Sequence, residues 1–198
     1  MVMRRKQTFA LMAGVIALAM TSCGGGTTQV IVQQSQVVQE PKVDVDTVEA
    51  VEPIKDVLSI EEAVRLLQAS EDRAAVMRKL GYKQKEGYEV SRMDKYDVMY
   101  YKNCKLPRML REGVYQNYPQ PLVKGISSYV AFTDRIEIGV FNIKAYNNLV
   151  AQVKACGFKL VADGYEAEYS NGAYDIFCYE GGKRVRIQKS ATPSAPQE

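Results

Sequence analysis

Apolar residues recur along this chain with two periods, and the period marks the element. Between 142 and 157, Tyr146, Leu149, Val150 and Val153 fall on one stripe at helical spacing. Asn142 stands where an N-cap belongs, and Gly157 where a left-handed C-cap closes a helix. Upstream, Ser59 and Glu62 have capping-box spacing; Val64, Leu67, Ala74, Met77 and Leu80 follow, and Gly81 ends the run. Ser70-Glu71-Asp72 reads as a second helix start inside it. Elsewhere the period is two. "SSYVAFT" and "RIEIGVF" predict strands around a turn at Thr133-Asp134. "GAYDIFCYE" lies between the turn dipeptide Asn171-Gly172 and Gly181-Gly182, and "KRVRIQK" alternates as the last strand.

The pattern is written twice. Gly81-Tyr82-Lys83 matches Gly157-Phe158-Lys159, and Gly87-Tyr88-Glu89 matches Gly164-Tyr165-Glu166. Tyr96-Asp97-Val98-Met99 matches Tyr174-Asp175-Ile176-Phe177, and Tyr101 matches Tyr179. Three anchors in one order predict an internal duplication, about 59–105 and 135–189. The expected fold is α+β: two tandem helix-plus-antiparallel-strand repeats forming one sheet, with helices packed on one face. In the first copy Arg92 to Lys95 is the expected turn; in the second, the extra residue near Asp163-Gly164 suits a bulge. Tyr96 and Tyr174 should point to one side of their strands, with Met99 and Phe177 on the other.

The first 23 residues carry a separate signal. Arg4, Arg5 and Lys6 precede an apolar run from Phe9 to Met20 that is too short for a stable membrane span. Thr21 and Ser22 then lead to Cys23 and Gly24-Gly25-Gly26. This resembles the lipobox of bacterial lipoproteins, with Met20 where Leu is usual. The resemblance implies cleavage before Cys23, lipidation of Cys23 including a palmitate-type acyl chain, and residence in the cell envelope. The outer membrane, facing the periplasm, is the expected location. Such an anchor buries several alkyl chains at about 0.8 kcal/mol per methylene.

Domain boundaries follow: signal peptide 1–22, lipid-anchored flexible tether 23–56, α+β domain 57–190, disordered tail 191–198. The tether is rich in Gly, Gln, Thr, Val, Pro and acids and has no aromatic residue. Within it "QVIVQQSQVV" alternates enough to compete as a strand. Three of the 26 basic residues lie in the signal and none of the 23 acids does, so the remainder balances at 23 against 23. The basic pI of about 8.6 is thus a property of the leader. Without surplus positive charge, nucleic acid is not an expected partner.

Composition narrows the chemistry. The chain has no histidine, which excludes Ser-His and Cys-His nucleophiles. Beyond Cys23, only Cys104, Cys156 and Cys178 remain, widely spaced. They are expected as small buried hydrophobes, with Cys156–Cys178 or Cys104–Cys178 as the alternative disulfides. No metal or other cofactor is called for. Glu89 and Glu166, and Asp97 and Asp175, are related by the repeat and form the one candidate pair set for carboxylate hydrolysis; otherwise they are solvated strand residues. All 13 tyrosines lie between Tyr82 and Tyr179. Tyr88, Tyr101, Tyr115, Tyr118, Tyr165 and Tyr179 are the candidate ligand contacts, because tyrosine on a rigid sheet favours binding surfaces. The loop "REGVYQNYPQPLVKG" (111–125) supplies two of them, with Pro119 and Pro121.

Residues 135–161, "RIEIGVFNIKAYNNLVAQVKACGFKLV", resemble the first half of a SPOR domain at Gly139, Phe141, Leu149, Val153 and Gly157. That resemblance implies peptidoglycan binding. The functional expectation is therefore a non-enzymatic envelope lipoprotein that binds a partner protein or scaffolds an assembly. SPOR-like glycan binding is the alternative and a carboxylate hydrolase the second alternative.

Overall fold

The structure, a computed structural model, describes residues 51–68, 72–123 and 125–191. The signal peptide, Cys23, most of the tether and residues 192–198 of the tail lie outside the described residues. No helix among those described is long and apolar enough to cross a membrane.

Among the described residues three helices form where caps and stripes agree: α1 (Ile60–Leu67), α2 (Arg73–Lys79) and α3 (Ile143–Ala155). Ser59 and Glu62 cap α1 reciprocally, hydroxyl to amide at 3.2 Å and carboxylate to amide at 3.1 Å. Asp72 caps α2 inside the expected second start, and Asn142 caps α3 through the Ala145 amide at 2.8 Å. Gly81 and Gly157 end α2 and α3 identically. Each adopts a positive φ, +82° and +81°. Each donates to the carbonyl three residues back, and the next residue donates five back, Tyr82 to Met77 and Phe158 to Val153. On α1 the buried stripe is Ile60, Ala63 and Leu66, so Val64 and Leu67 are flanking contacts. Buried Gln152 ties α3 to α1, accepting the Ile60 amide at 3.0 Å.

The strands are β1 (Lys83–Val90), β2 (Lys95–Lys102), β3 (Cys104–Lys105), β4 (Met109–Arg111), β5 (Val114–Tyr115), β6 (Gln120–Pro121), β7 (Ser128–Phe132), β8 (Ile136–Val140), β9 (Lys159–Ala162), β10 (Ala167–Ser170), β11 (Tyr174–Tyr179) and β12 (Arg184–Lys189). Ten of them make one sheet, in the order β4-β5-β1-β2-β7-β8-β12-β11-β10-β9; β3 and β6 pair separately. Every pairing is antiparallel except β1 with β5. The fold is thus mixed α and β, dominated by one broad sheet.

The sheet has two unlike faces. On one, Ile60, Met77, Leu149 and Val153 of the helices pack on Val130, Phe132, Ile138, Ile176 and Ile187. The other carries a smaller cluster to which no helix contributes: Tyr88, Val90, Tyr96, Met99, Tyr115, Tyr129 and Ala131. Residues 51–56, assigned to the tether by composition, lie on the domain: Ile54 packs on the helix-side core and the Asp56 carbonyl accepts from Lys102.

The paired motifs meet different fates. Tyr96-Asp97 and Tyr174-Asp175 both lie on antiparallel strands, β2 and β11. Phe177 and Tyr174 face opposite sides as expected, but Tyr96 shares a cluster with Met99. The alternation slips where Gly87 takes φ +60° in β1, between the pairs Glu86–Val98 and Tyr88–Tyr96. Gly87-Tyr88-Glu89 sits inside β1, whereas Gly164-Tyr165-Glu166 forms the loop between β9 and β10. Asp163-Gly164 is therefore turn and not bulge; the register shift comes later, at Glu168 and Tyr169.

Candidate functional site: a tyrosine cleft on the helix-free face

Strand register writes two side-chain rows across the helix-free face. One runs Tyr101, Tyr129, Gly139, Arg184, Tyr179 over β2, β7, β8, β12 and β11. The next runs Met99, Ala131, Glu137, Arg186, Phe177 over the same strands. Period-two alternation puts the apolar partners of these residues into the helix-side core, which is why one acid and two arginines are left on this side.

Gly139 is the gap in the first row. A Cβ there would stand 2.1 Å from the Tyr129 ring, so only glycine lets that ring lie across β8. Gly182 does the same for Tyr179 and Arg184, whose atoms would be 2.6 Å and 2.8 Å from its Cβ. The Arg184 guanidinium lies over the rings of Tyr118 (4.9 Å) and Tyr179 (5.2 Å). Tyr118 reaches it from the connection between β5 and β6 and stacks on Tyr129 at 5.7 Å.

The polar groups satisfy one another. Buried Glu137 accepts the hydroxyls of Tyr129 (3.0 Å) and Tyr96 (3.1 Å) and faces Arg184 at 3.7 Å. Asp94 accepts the Tyr118 hydroxyl and also faces Arg184 at 3.7 Å. Arg184 Nη1 donates to the Tyr118 oxygen at 2.5 Å. Burial raises the Glu137 carboxyl above its ordinary range, opposed by Arg184 and the two hydroxyls. Burial alone would lower the Arg184 pKa, but Glu137 and the surrounding tyrosines more than reverse it. Tyr96, Tyr118 and Tyr129 are all raised, chiefly by burial, so their hydroxyls keep their protons near neutral pH.

Beside the network opens a cleft of about 430 Å³, lined by Tyr118, Pro119, Pro121, Tyr129, Phe141, Tyr179 and Arg184, with Met93, Asn117 and Gln120 at its walls. That is within the usual size of ligand sites, about 300–1,000 Å³. Of the six expected contact tyrosines, Tyr118 and Tyr179 line it. Tyr165, 81% exposed, lies 4.8 Å from the Tyr179 ring at the rim. Tyr101 is partly buried in the row beneath. Tyr88 and Tyr115 are corrected to core residues: they stack at 4.3 Å, both buried, and the Tyr88 hydroxyl is spent on the Asn117 carbonyl. Tyr129, Arg184, Asp94 and Glu137 were not singled out by the sequence, and Phe141 entered only through the SPOR resemblance. Their signal, Glu137 inside "RIEIGV" and Arg184 inside "KRVRIQK", reads as ordinary solvent-side alternation until the register is known.

The hydrolytic carboxylates do not converge. Glu89 on β1 pairs with Arg111, while Glu166 before β10 pairs with Arg186 at 2.6 Å. Five strands separate β1 from β10, about 25–30 Å at ordinary strand spacing. Cys104, Cys156 and Cys178 are free thiols, so neither alternative disulfide forms. Cys104 and Cys178 are buried, their pKa values pushed up to about 11 and about 12 by that burial, whereas Cys156 is exposed and not the buried hydrophobe expected. No cluster of metal-ligating side chains occurs among the described residues. Comparison with family models, with curated proteins and with solved structures finds no match to this chain.

Proposed function

We propose that this chain is a cell-envelope lipoprotein, held to the membrane through lipidated Cys23, whose 57–190 domain binds a partner protein without catalysing a reaction. The observation that carries the binding reading is the cleft: aromatic walls on a sheet, with both nearby carboxylates engaged by Arg184 and tyrosine hydroxyls. Such a site offers contact area and no free base or nucleophile. The "MTSC" lipobox-like signal supports the envelope location. Pulldown from crosslinked envelopes tests the reading: the wild-type chain retains a discrete partner that a Tyr118→Ala/Tyr179→Ala chain loses. Equal recovery by both would overturn it. Cys23→Ala tests the anchor, and should leave the chain as precursor or release it from membranes.

A second reading, SPOR-like glycan binding, draws on residues 135–161 folding as strand β8, helix α3 and strand β9. Sedimentation with purified peptidoglycan sacculi separates it from the first. The likeness between the repeats also supports an origin by duplication, its best feature being the identical glycine closures of α2 and α3.

A further inference from the structure

Four aliphatic side chains stand in water at one end of the sheet. Leu122 is 62% exposed, Ile126 55%, Ile143 46% and Val123 45%. Register brings them together. The β7–β8 ladder ends at the pair Ser128–Val140, so Ile126 and Ile143 lie just beyond the same end of two neighbouring strands. The Asn142 side chain, which caps α3, also donates to the Gly125 carbonyl at 3.5 Å. A single exposed aliphatic residue is ordinary, but four at one strand end form a patch.

The backbone beneath these side chains is already bonded. The Leu122 amide donates to the Asn103 carbonyl at 2.8 Å, and Asn103 Nδ2 donates to the Ile126 carbonyl at 3.0 Å. Ser127 Oγ accepts the Val123 amide at 3.2 Å and lies 2.7 Å from the Val123 carbonyl. A turn wired in this way can leave water without stranding these groups, which is the condition for entering a lipid headgroup layer. The described charged residues of 102–106, 119–127 and 141–147 are Lys102, Lys105 and Lys144, with no acid among them. Lys102 is held by Asp56 and the Leu80 carbonyl, whereas Lys105 and Lys144 are exposed. On the adjoining β11–β12 turn, whose Lys183 carbonyl accepts the Val140 amide, Glu180 and Lys183 offset each other. Protein interfaces favour aromatic residues, methionine and arginine and are poor in lysine. Aliphatic side chains with lysines beside them suit instead the boundary between acyl chains and anionic headgroups.

We propose that Leu122, Val123, Ile126 and Ile143 dock the domain on an anionic lipid bilayer, with Lys105 and Lys144 at the headgroups. This rests on the envelope-lipoprotein reading, which brings the domain to a membrane. The chain has no tryptophan, so Val123→Trp supplies a single reporter. The full chain is reconstituted in vesicles of equal parts phosphatidylethanolamine and phosphatidylglycerol, with and without brominated acyl chains. Bromine should quench about half or more of the emission from position 123. Leu160→Trp, on β9 at the far edge of the sheet, should be quenched by about a tenth or less. Adding Ile126→Ser and Ile143→Ser to the Val123→Trp chain should cut its quenching about threefold, and exchanging phosphatidylglycerol for phosphatidylcholine should also lower it. Equal quenching at 123 and 160 overturns the docking surface. A blue-shifted emission at 123 that bromine leaves untouched overturns it in favour of a protein partner or a second copy. Quenching indifferent to the loss of phosphatidylglycerol overturns the role of the lysines. A chain that floats with the vesicles while position 123 stays unquenched loses the docking surface alone, whereas failure of the Cys23→Ala test in cells removes the lipoprotein reading alone.

Discussion

The two faces of the sheet use the same strands for opposite ends. The helix side is a continuous apolar core in which Leu58, Ile60, Met77, Ile138, Leu149, Val153, Ile176 and Ile187 are fully buried. The helix-free side is built of tyrosines, one buried acid and two arginines, with Leu106 and Tyr118 packed against its tyrosine cluster and the cleft opening beside Tyr118. The difference shows a division of labour along the period of two. Apolar burial on one side supplies stability, which leaves the other side able to carry polar groups that must be matched one by one.

Mutations should break the comparison in order of size. Leu149→Ala, on the helix side, deletes a fully buried side chain and should cost about 3–4 kcal/mol in denaturant unfolding, without weakening partner recovery by the folded fraction. Glu137→Ala, on the other side, leaves the Arg184 guanidinium with Asp94 as its one carboxylate partner and the Tyr96 and Tyr129 hydroxyls without their acceptor. The expected cost is about 2–3 kcal/mol, and here cleft binding should fall as well, because Arg184 loses its seat. Gly139→Ala should cost about 1–3 kcal/mol by displacing the Tyr129 ring, and should also reshape the cleft floor.

Alkaline titration sharpens the same contrast. Burial pushes Tyr82, on the helix side, up to about 12 from 10.0, and the helix-free tyrosines are raised as well. Between pH 10 and 12 the unfolded chain has lost these protons and the folded one keeps them. Stability is therefore fully present below pH 10 and falls as pH rises through that window. Tyr82 alone contributes on the order of 2–3 kcal/mol of this loss. Tyr82→Phe and Tyr129→Phe should each flatten the decline of unfolding free energy with pH. An unchanged slope in both would mean that the tyrosines are not held protonated by burial.

Much of the fold was legible because its signals are local. Ser59-Glu62, Asn142, Gly81, Gly157 and Asn171-Gly172 act through backbone hydrogen bonds within a few residues, and each sits where the spacing put it. The strand pair around Thr133-Asp134 and the final strand were equally plain. What was not legible depends on sheet register. Tyr88 and Tyr118 look alike in sequence, yet Tyr88 is stacked in a core and Tyr118 walls a cleft. Arg184 and Tyr179 become neighbours only because β11 pairs with β12 in one register. The face switch at Gly87 likewise required the partner strand, and it carried Tyr96 to the side opposite its expected one.

The central claim, that the helix-free cleft is where the chain meets its partner, is tested most directly by site-specific photocrosslinking in intact cells. A benzophenone amino acid replaces either Tyr179 in the cleft or Lys144, exposed on α3 of the opposite face. The account predicts a discrete protein adduct from position 179, abolished by Tyr118→Ala in the same chain, and none from position 144. An adduct from 144 with none from 179 would contradict it.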